Sequence, residues 1–137
     1  MFSKLMVPVD LTHLEPLSKA LAISEDLAKR HGAEIVYVSV TAETPTSIAH
    51  TPAEFAQKLD AFAKARQDAG GAKATALSYS AHDPSIDIDK LLLKAVDETG
   101  ADLVVMASHK PGFADYFWGS HGGGLAAHAK VSVFVVR

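Results

Sequence analysis

Asp102-Leu103-Val104-Val105-Met106-Ala107-Ser108 decides the fold class. Its apolar run is short, rich in β-branched residues, and closed by an acid before and a hydroxyl after. It does not alternate with polar residues, so it reads as a strand buried on both faces. Leu5-Met6-Val7-Pro8-Val9, closed by Asp10, repeats the pattern, as do Ile35 to Val40 and Val131 to Val136. Ala74 to Ser80 alternates weakly and reads as one more strand. Pro8 has no N–H for a ladder, so the first strand should end or bulge there.

Helical stripes lie between the strands. Leu14, Leu17, Ala20, Leu21, Ser24, Leu27 and Ala28 recur at three and four, and Gly32 stops them after Lys29, Arg30 and His31. Thr51-Pro52-Ala53-Glu54 is a helix start with a capping Thr, a Pro in first position and a Glu in third. Phe55, Leu59, Phe62 and Ala63 form its buried stripe, and Gly70-Gly71 ends it. After the break at Asp83-Pro84, Ile88, Leu91, Leu92, Ala95 and Val96 form a third stripe ending near Gly100. A short Gly-rich helix from about Ser120 to Ala129 precedes the last strand. The order β-α-β-α-β-α-β-α-β predicts an α/β fold of the Rossmann-like kind. It is an open five-stranded parallel sheet with helices on both faces, with residues 1–137 as one domain.

Composition narrows the function. With 137 residues, 48% of them hydrophobic, the chain can bury one core. A net charge of −3 and the lack of a basic run give no support to nucleic-acid binding. With no cysteine, disulfides, thiolate metal sites and cysteine nucleophiles are excluded. The apolar start before Asp10 is shorter than the about 7–15 residues of a signal-peptide core. No stretch approaches the roughly 20 apolar residues that span a bilayer. These features lead to the expectation of a cytoplasmic protein without a membrane partner.

Ligands of such sheets bind beyond the carboxyl ends of the strands, where strand order reverses. Pro8-Val9-Asp10, Val40-Thr41 and the segment Ala107 to Ser120 fall there. Gly119-Ser120, followed by His121 and Gly122-Gly123-Gly124, opens the last helix. Free N–H groups and the helix dipole bind anions at such a start; the same residues also suit a plain Ser N-cap. Three glycines weaken a helix by roughly 1 kcal/mol each relative to Ala, which points to close approach by a phosphate or a neighbouring element. Asp10 either accepts hydrogen bonds from a ribose or adenine, or caps the first helix as a turn aspartate. His109 either meets a phosphate or packs under the loop, and Lys110 either balances phosphate charge or stands exposed. Phe113, Tyr116, Phe117 and Trp118 either plug the loop onto the core or form a stacking patch. There is no Gly-x-x-x-x-Gly-Lys-Ser/Thr loop, no Gly-x-Ser-x-Gly elbow and no metal-ligand spacing of the histidines. No catalytic residue and no metal site is assigned.

Ala101-Asp102-Leu103-Val104-Val105-Met106-Ala107-Ser108-His109, Gly119-Ser120, His128-Ala129 and Val133-Phe134-Val135-Val136-Arg137 together resemble the universal stress protein family. Met6-Val7-Pro8-Val9-Asp10 and Val38-Ser39-Val40 resemble its other two pocket segments. The family's ATP-binding branch has glycine, two residues, glycine, a longer spacer, then Gly-Ser or Gly-Thr. Here Ala107 and Lys110 stand at the first two glycines, the loop is one residue shorter, and Gly119-Ser120 is kept. Ala-Ser-His-Lys-Pro is similar to the small enterobacterial F and G types. The resemblance implies an ATP site, open also to AMP or ADP, with Mg²⁺ arriving only on the phosphates. Pro8, Val9 and Asp10 would flank adenine and ribose, and Val40 would offer its backbone to the adenine edge. Ala107 and His109 would line the ribose and phosphate side, and Gly119, Ser120 and His121 would hold phosphates. It implies a homodimer through Val131–Val136 acting as a sensor or regulator, with at most weak ATP hydrolysis. The alternative is a dimeric interaction module that no longer holds nucleotide.

Overall fold

Apolar runs too short for helices become strands, and those strands assemble by the rules of parallel sheets. The computed structural model describes residues 1–108 and 121–137. Its strands are β1 (Lys4–Pro8), β2 (Glu34–Ala42), β3 (Ala74–Ala81), β4 (Leu103–Ala107) and β5 (Ser132–Val136). They form one parallel sheet in the order β3-β2-β1-β4-β5. The helices are α1 (Ser18–His31), α2 (Pro52–Gly70), α3 (Pro84–Thr99) and α4 (His121–His128). This is the α/β architecture that the alternating pattern predicts, with element ends moved by a residue or two.

One difference lies before α1. The stripe starting at Leu14 enters through a 3-10 turn, Glu15–Leu17, in which Leu17 N donates to Leu14 O. Pro16 sits in this turn, where its missing N–H does no harm. At α2, Thr51 Oγ1 accepts from Glu54 N at 3.1 Å, and the Glu54 carboxylate reaches back to His50 N at 3.0 Å. Glu54 thus serves the residue before the cap rather than the cap itself.

Strand order dictates where the helices lie. The chain steps one way from β1 to β3, then crosses back to β4 and β5, so right-handed connections put α1 and α2 on one face and α3 and α4 on the other. Side chains join the first pair. Glu25 of α1 accepts from Arg66 Nε of α2 at 2.6 Å and lies 3.5 Å from the hydroxyl of Tyr37 on β2. Tyr37 is wholly buried, meets Phe62 edge to face at 5.1 Å, and has its pKa pushed up to about 12, chiefly by burial. On the other face, Gly124 of α4 packs close to Asp89 of α3.

β1 and β4 are clamped at their amino ends by Asp102. Its carboxylate accepts from Ser3 N (2.9 and 3.2 Å), Ser3 Oγ (3.1 Å) and Lys4 N (3.1 Å), while Asp102 N donates to Lys4 O (3.0 Å). Partial burial pushes the Asp102 pKa up, but the N–H groups of Ser3 and Lys4 outweigh it and hold the carboxyl below its ordinary value. A depressed pKa gives stability that is present above the unfolded-state value and lost as pH falls through the folded value. Asp102→Asn should therefore destabilise by about 1–2 kcal/mol at neutral pH. Its deficit should shrink as pH drops below about 4. Urea denaturation of both proteins across pH 3–7 checks this; a deficit constant with pH would show that charge plays no part.

Candidate functional site

Alternation along β1 builds the site. Ser3 O accepts from Glu34 N and Val9 N donates to Val38 O, so odd-numbered backbone groups face β2. Lys4 O accepts from Asp102 N, so even-numbered groups face β4. Pro8 is even-numbered, and at the position where β1 should next bond β4 it has no N–H to give. The register agrees: β1 pairs with β2 as far as Pro8↔Val38 but with β4 only at Leu5↔Leu103 and Met6↔Val104. Past these pairs no further register pair joins the two central strands among the described residues. The crevice at the carboxyl edge starts there.

Val40 borders this crevice. Two residues beyond Val38, it carries its backbone groups on the β1 side, where β1 has already ended. The residue is buried. Ala107, the last residue of β4, is buried and paired with Val136, and Ser108 N donates to Val136 O at 2.7 Å. Val9 is buried at the end of β1. The structure thus brings Pro8, Val9, Asp10, Val40 and Ala107 to one edge. His109, Lys110, Gly119, Ser120 and the aromatic group Phe113, Tyr116, Phe117 and Trp118 lie outside the described residues. His121 is the first residue of α4.

Asp10 is 8% exposed and caps no helix. The 3-10 turn and α1 both start without a side-chain cap. Its Oδ1 instead accepts from Thr12 N at 2.9 Å and Thr12 Oγ1 at 2.6 Å. His13 Nδ1 lies 2.9 Å from Oδ2 and 2.8 Å from Thr12 Oγ1. Sequence reasoning missed Thr12 and His13. The signal was present, since an aspartate two residues before a hydroxyl residue is an Asx-turn pattern.

Two other features bear on the ligand question. A cleft of about 470 Å³ lies at the opposite, amino-terminal edge, lined by Ser3, Lys29, Gly32, Glu34, Gly71 and Lys73 among others. It forms where α1 and α2 end at left-handed glycines, and Lys4 and Lys73 already occupy the Glu34 carboxylate. Parallel-sheet chemistry belongs at the other edge. Among the described residues, no group of three or more His, Asp or Glu side chains gathers as a metal site. No helix among them is long and apolar enough to cross a membrane.

Comparison with known proteins matches this geometry to one family. The model of the universal stress protein family matches residues 1–137. Universal stress protein G of Escherichia coli O157:H7 is 27% identical over 146 residues, covering all of both chains. A solved universal stress protein in complex with cAMP superposes with a TM-score of 0.69 at 17% identity, over 99% of this chain and 97% of that one. The universal stress protein of Archaeoglobus fulgidus in complex with dAMP gives 0.68 at 15% identity, over 98% of both.

The glycines at the start of α4 are not all explained by close packing. A Cβ on Gly124 would find its nearest neighbour, Asp89 Oδ2, at 3.7 Å, an ordinary contact. Gly124→Ala should therefore stabilise the protein by about 0.5–1 kcal/mol through helix propensity alone. Thermal unfolding should show a rise of about 2–5 °C; a fall would reveal a steric demand at this position.

Proposed function

The chain belongs to the universal stress protein family, and from that premise we propose that it binds an adenine nucleotide at the carboxyl edge of the sheet. The observation that supports this reading is the end of β1–β4 pairing before Pro8, at the carboxyl edge of the sheet where Asp10, Val40, Ala107 and the start of α4 also lie. Relatives of the same fold are solved with cAMP and with dAMP, which supports an adenine nucleotide as the ligand class. ATP, AMP and ADP share the parts this edge would recognise. The adenine would lie by Pro8, Val9 and the Val40 backbone, and the ribose by Asp10, Ala107 and His109. The phosphates would lie on Gly119, Ser120 and His121. Mg²⁺ would come with the phosphates, since it keeps its waters and borrows substrate oxygens.

The same reading makes the protein a cytoplasmic homodimer that acts as a sensor or regulator. β5 supports the dimer, because it is an edge strand and, among the described residues, its outer edge has no partner strand. Phe134 is 44% exposed on it, while Val131, Val133 and Val135 pack partly against the core. An apolar edge of this kind calls for a second strand to cover it.

Calorimetric titration tests the nucleotide site. Gly119→Val should abolish ATP binding, and Ser120→Ala should weaken it by about 1.5–3 kcal/mol, one hydrogen bond to a charged group. Asp10→Ala should weaken ATP and AMP alike, whereas Ser120→Ala should lower the preference for ATP over AMP. Wild-type protein that gives no heat with ATP and carries no nucleotide would favour the interaction-module alternative. For the dimer, Phe134→Glu should yield monomers in sedimentation velocity without disturbing the core. A variant that remains dimeric would remove β5 as the interface.

A further inference from the structure

We infer that His13 and Thr12 restrict Asp10 to a single hydrogen bond from a bound nucleoside, so that the site scarcely separates ribose from 2′-deoxyribose. The inference rests on the nucleotide reading above and concerns its sugar specificity.

The argument is a count of acceptor positions. A carboxylate offers roughly four, two on each oxygen. Thr12 N–H and Thr12 Oγ1–H both donate to Oδ1, at 2.9 and 2.6 Å. His13 Nδ1 lies 2.9 Å from Oδ2. The Thr12 hydroxyl has one hydrogen, and Asp10 receives it. The 2.8 Å approach of Thr12 Oγ1 to His13 Nδ1 therefore needs a hydrogen on the ring nitrogen. His13 is thereby set as a donor at Nδ1, shared between Thr12 Oγ1 and Asp10 Oδ2. With these three hydrogen bonds in place, about one acceptor position remains, on Oδ2.

A ribose diol grips a carboxylate best with two parallel hydrogen bonds, one to each oxygen. Oδ1 is already filled by Thr12, so a diol can place only one hydroxyl on Asp10. Either the 2′- or the 3′-hydroxyl can take that position, and a 2′-deoxyribose still has the 3′-hydroxyl. The His13 ring lies against the carboxylate, with Nδ1 2.9 Å from Oδ2, and the Asp10 side chain is only 10% exposed. Removing the ring would open Oδ2 to both hydroxyls.

Titration of AMP and 2′-deoxy-AMP into wild type, His13→Ala and His13→Asn tests this. Wild type should bind the two within about threefold of each other, and His13→Ala should raise the preference for AMP by a further tenfold or more, roughly the worth of one hydrogen bond to a charged group. Asn carries an N–H donor where His carries Nδ1, so His13→Asn should return the ratio to about threefold. Wild type preferring AMP by about tenfold or more, or a ratio indifferent to His13→Ala, would overturn the inference while leaving nucleotide binding intact. No binding of either nucleotide to any variant would overturn the nucleotide reading itself. Nitrogen-15 NMR of the ligand-free protein gives an independent readout. His13 should carry hydrogen on Nδ1, and an Nε2–H tautomer would sink the inference without reference to any ligand.

Discussion

Pro8 stands where the central strand would next bond β4, and the missing N–H lets the two strands part. At the other end of the same seam, Asp102 gathers the N–H groups of Ser3 and Lys4 and holds the strands together. Between these points only two register pairs join β1 to β4, while β1 and β2 stay paired to the end of β1. The seam between β1 and β4 is therefore held at its amino end, and its pairing stops before the carboxyl end of β1. Every candidate ligand residue among the described ones lies around that opening, and the buried core beneath it fixes their positions. Strand order and one imino acid set where this opening lies in the sheet.

Much of this was legible in the sequence because it depends on local signals that agree with one another. The runs around Val36 and Val104 are apolar without alternation, which only a strand covered on both faces tolerates. The Thr51-Pro52-Ala53-Glu54 start is visible because capping chemistry is short-range, and the structure makes the Thr51 bond as expected. What was not legible depends on relations between distant segments. Asp102 reads as the polar end of a strand, and nothing near it in sequence says that it will bind the backbone of Ser3 and Lys4. Glu25 and Arg66 sit on different helices, and their pairing over Tyr37 needs the fold before it can be seen.

The site divides in the same way. Pro8, Val9, Val40 and Ala107 were placed at the carboxyl edge by strand order alone, and the described residues bring them there. Asp10 was read as a ligand contact or a helix cap. It caps nothing because the chain turns at Thr12 and His13 before any helix starts, so its carboxylate is taken up by its own turn. Glycine at the head of α4 looked like a sign of crowding, yet at Gly124 the neighbouring helix leaves room for a methyl group.

Strand order also has a consequence during synthesis. β1 is made first, and its neighbour on one side, β2, follows promptly, with β3 beyond it. Its neighbour on the other side is β4, so Leu5 and Met6 must wait for Leu103 and Val104 to be translated. Through that interval a strand destined for the centre of the sheet is an apolar edge, the kind of surface that recruits the wrong chain. Proline is among the residues that blunt such edges, and Pro8 faces the vacant side. The residue that starts the crevice in the finished protein thus also guards the nascent one.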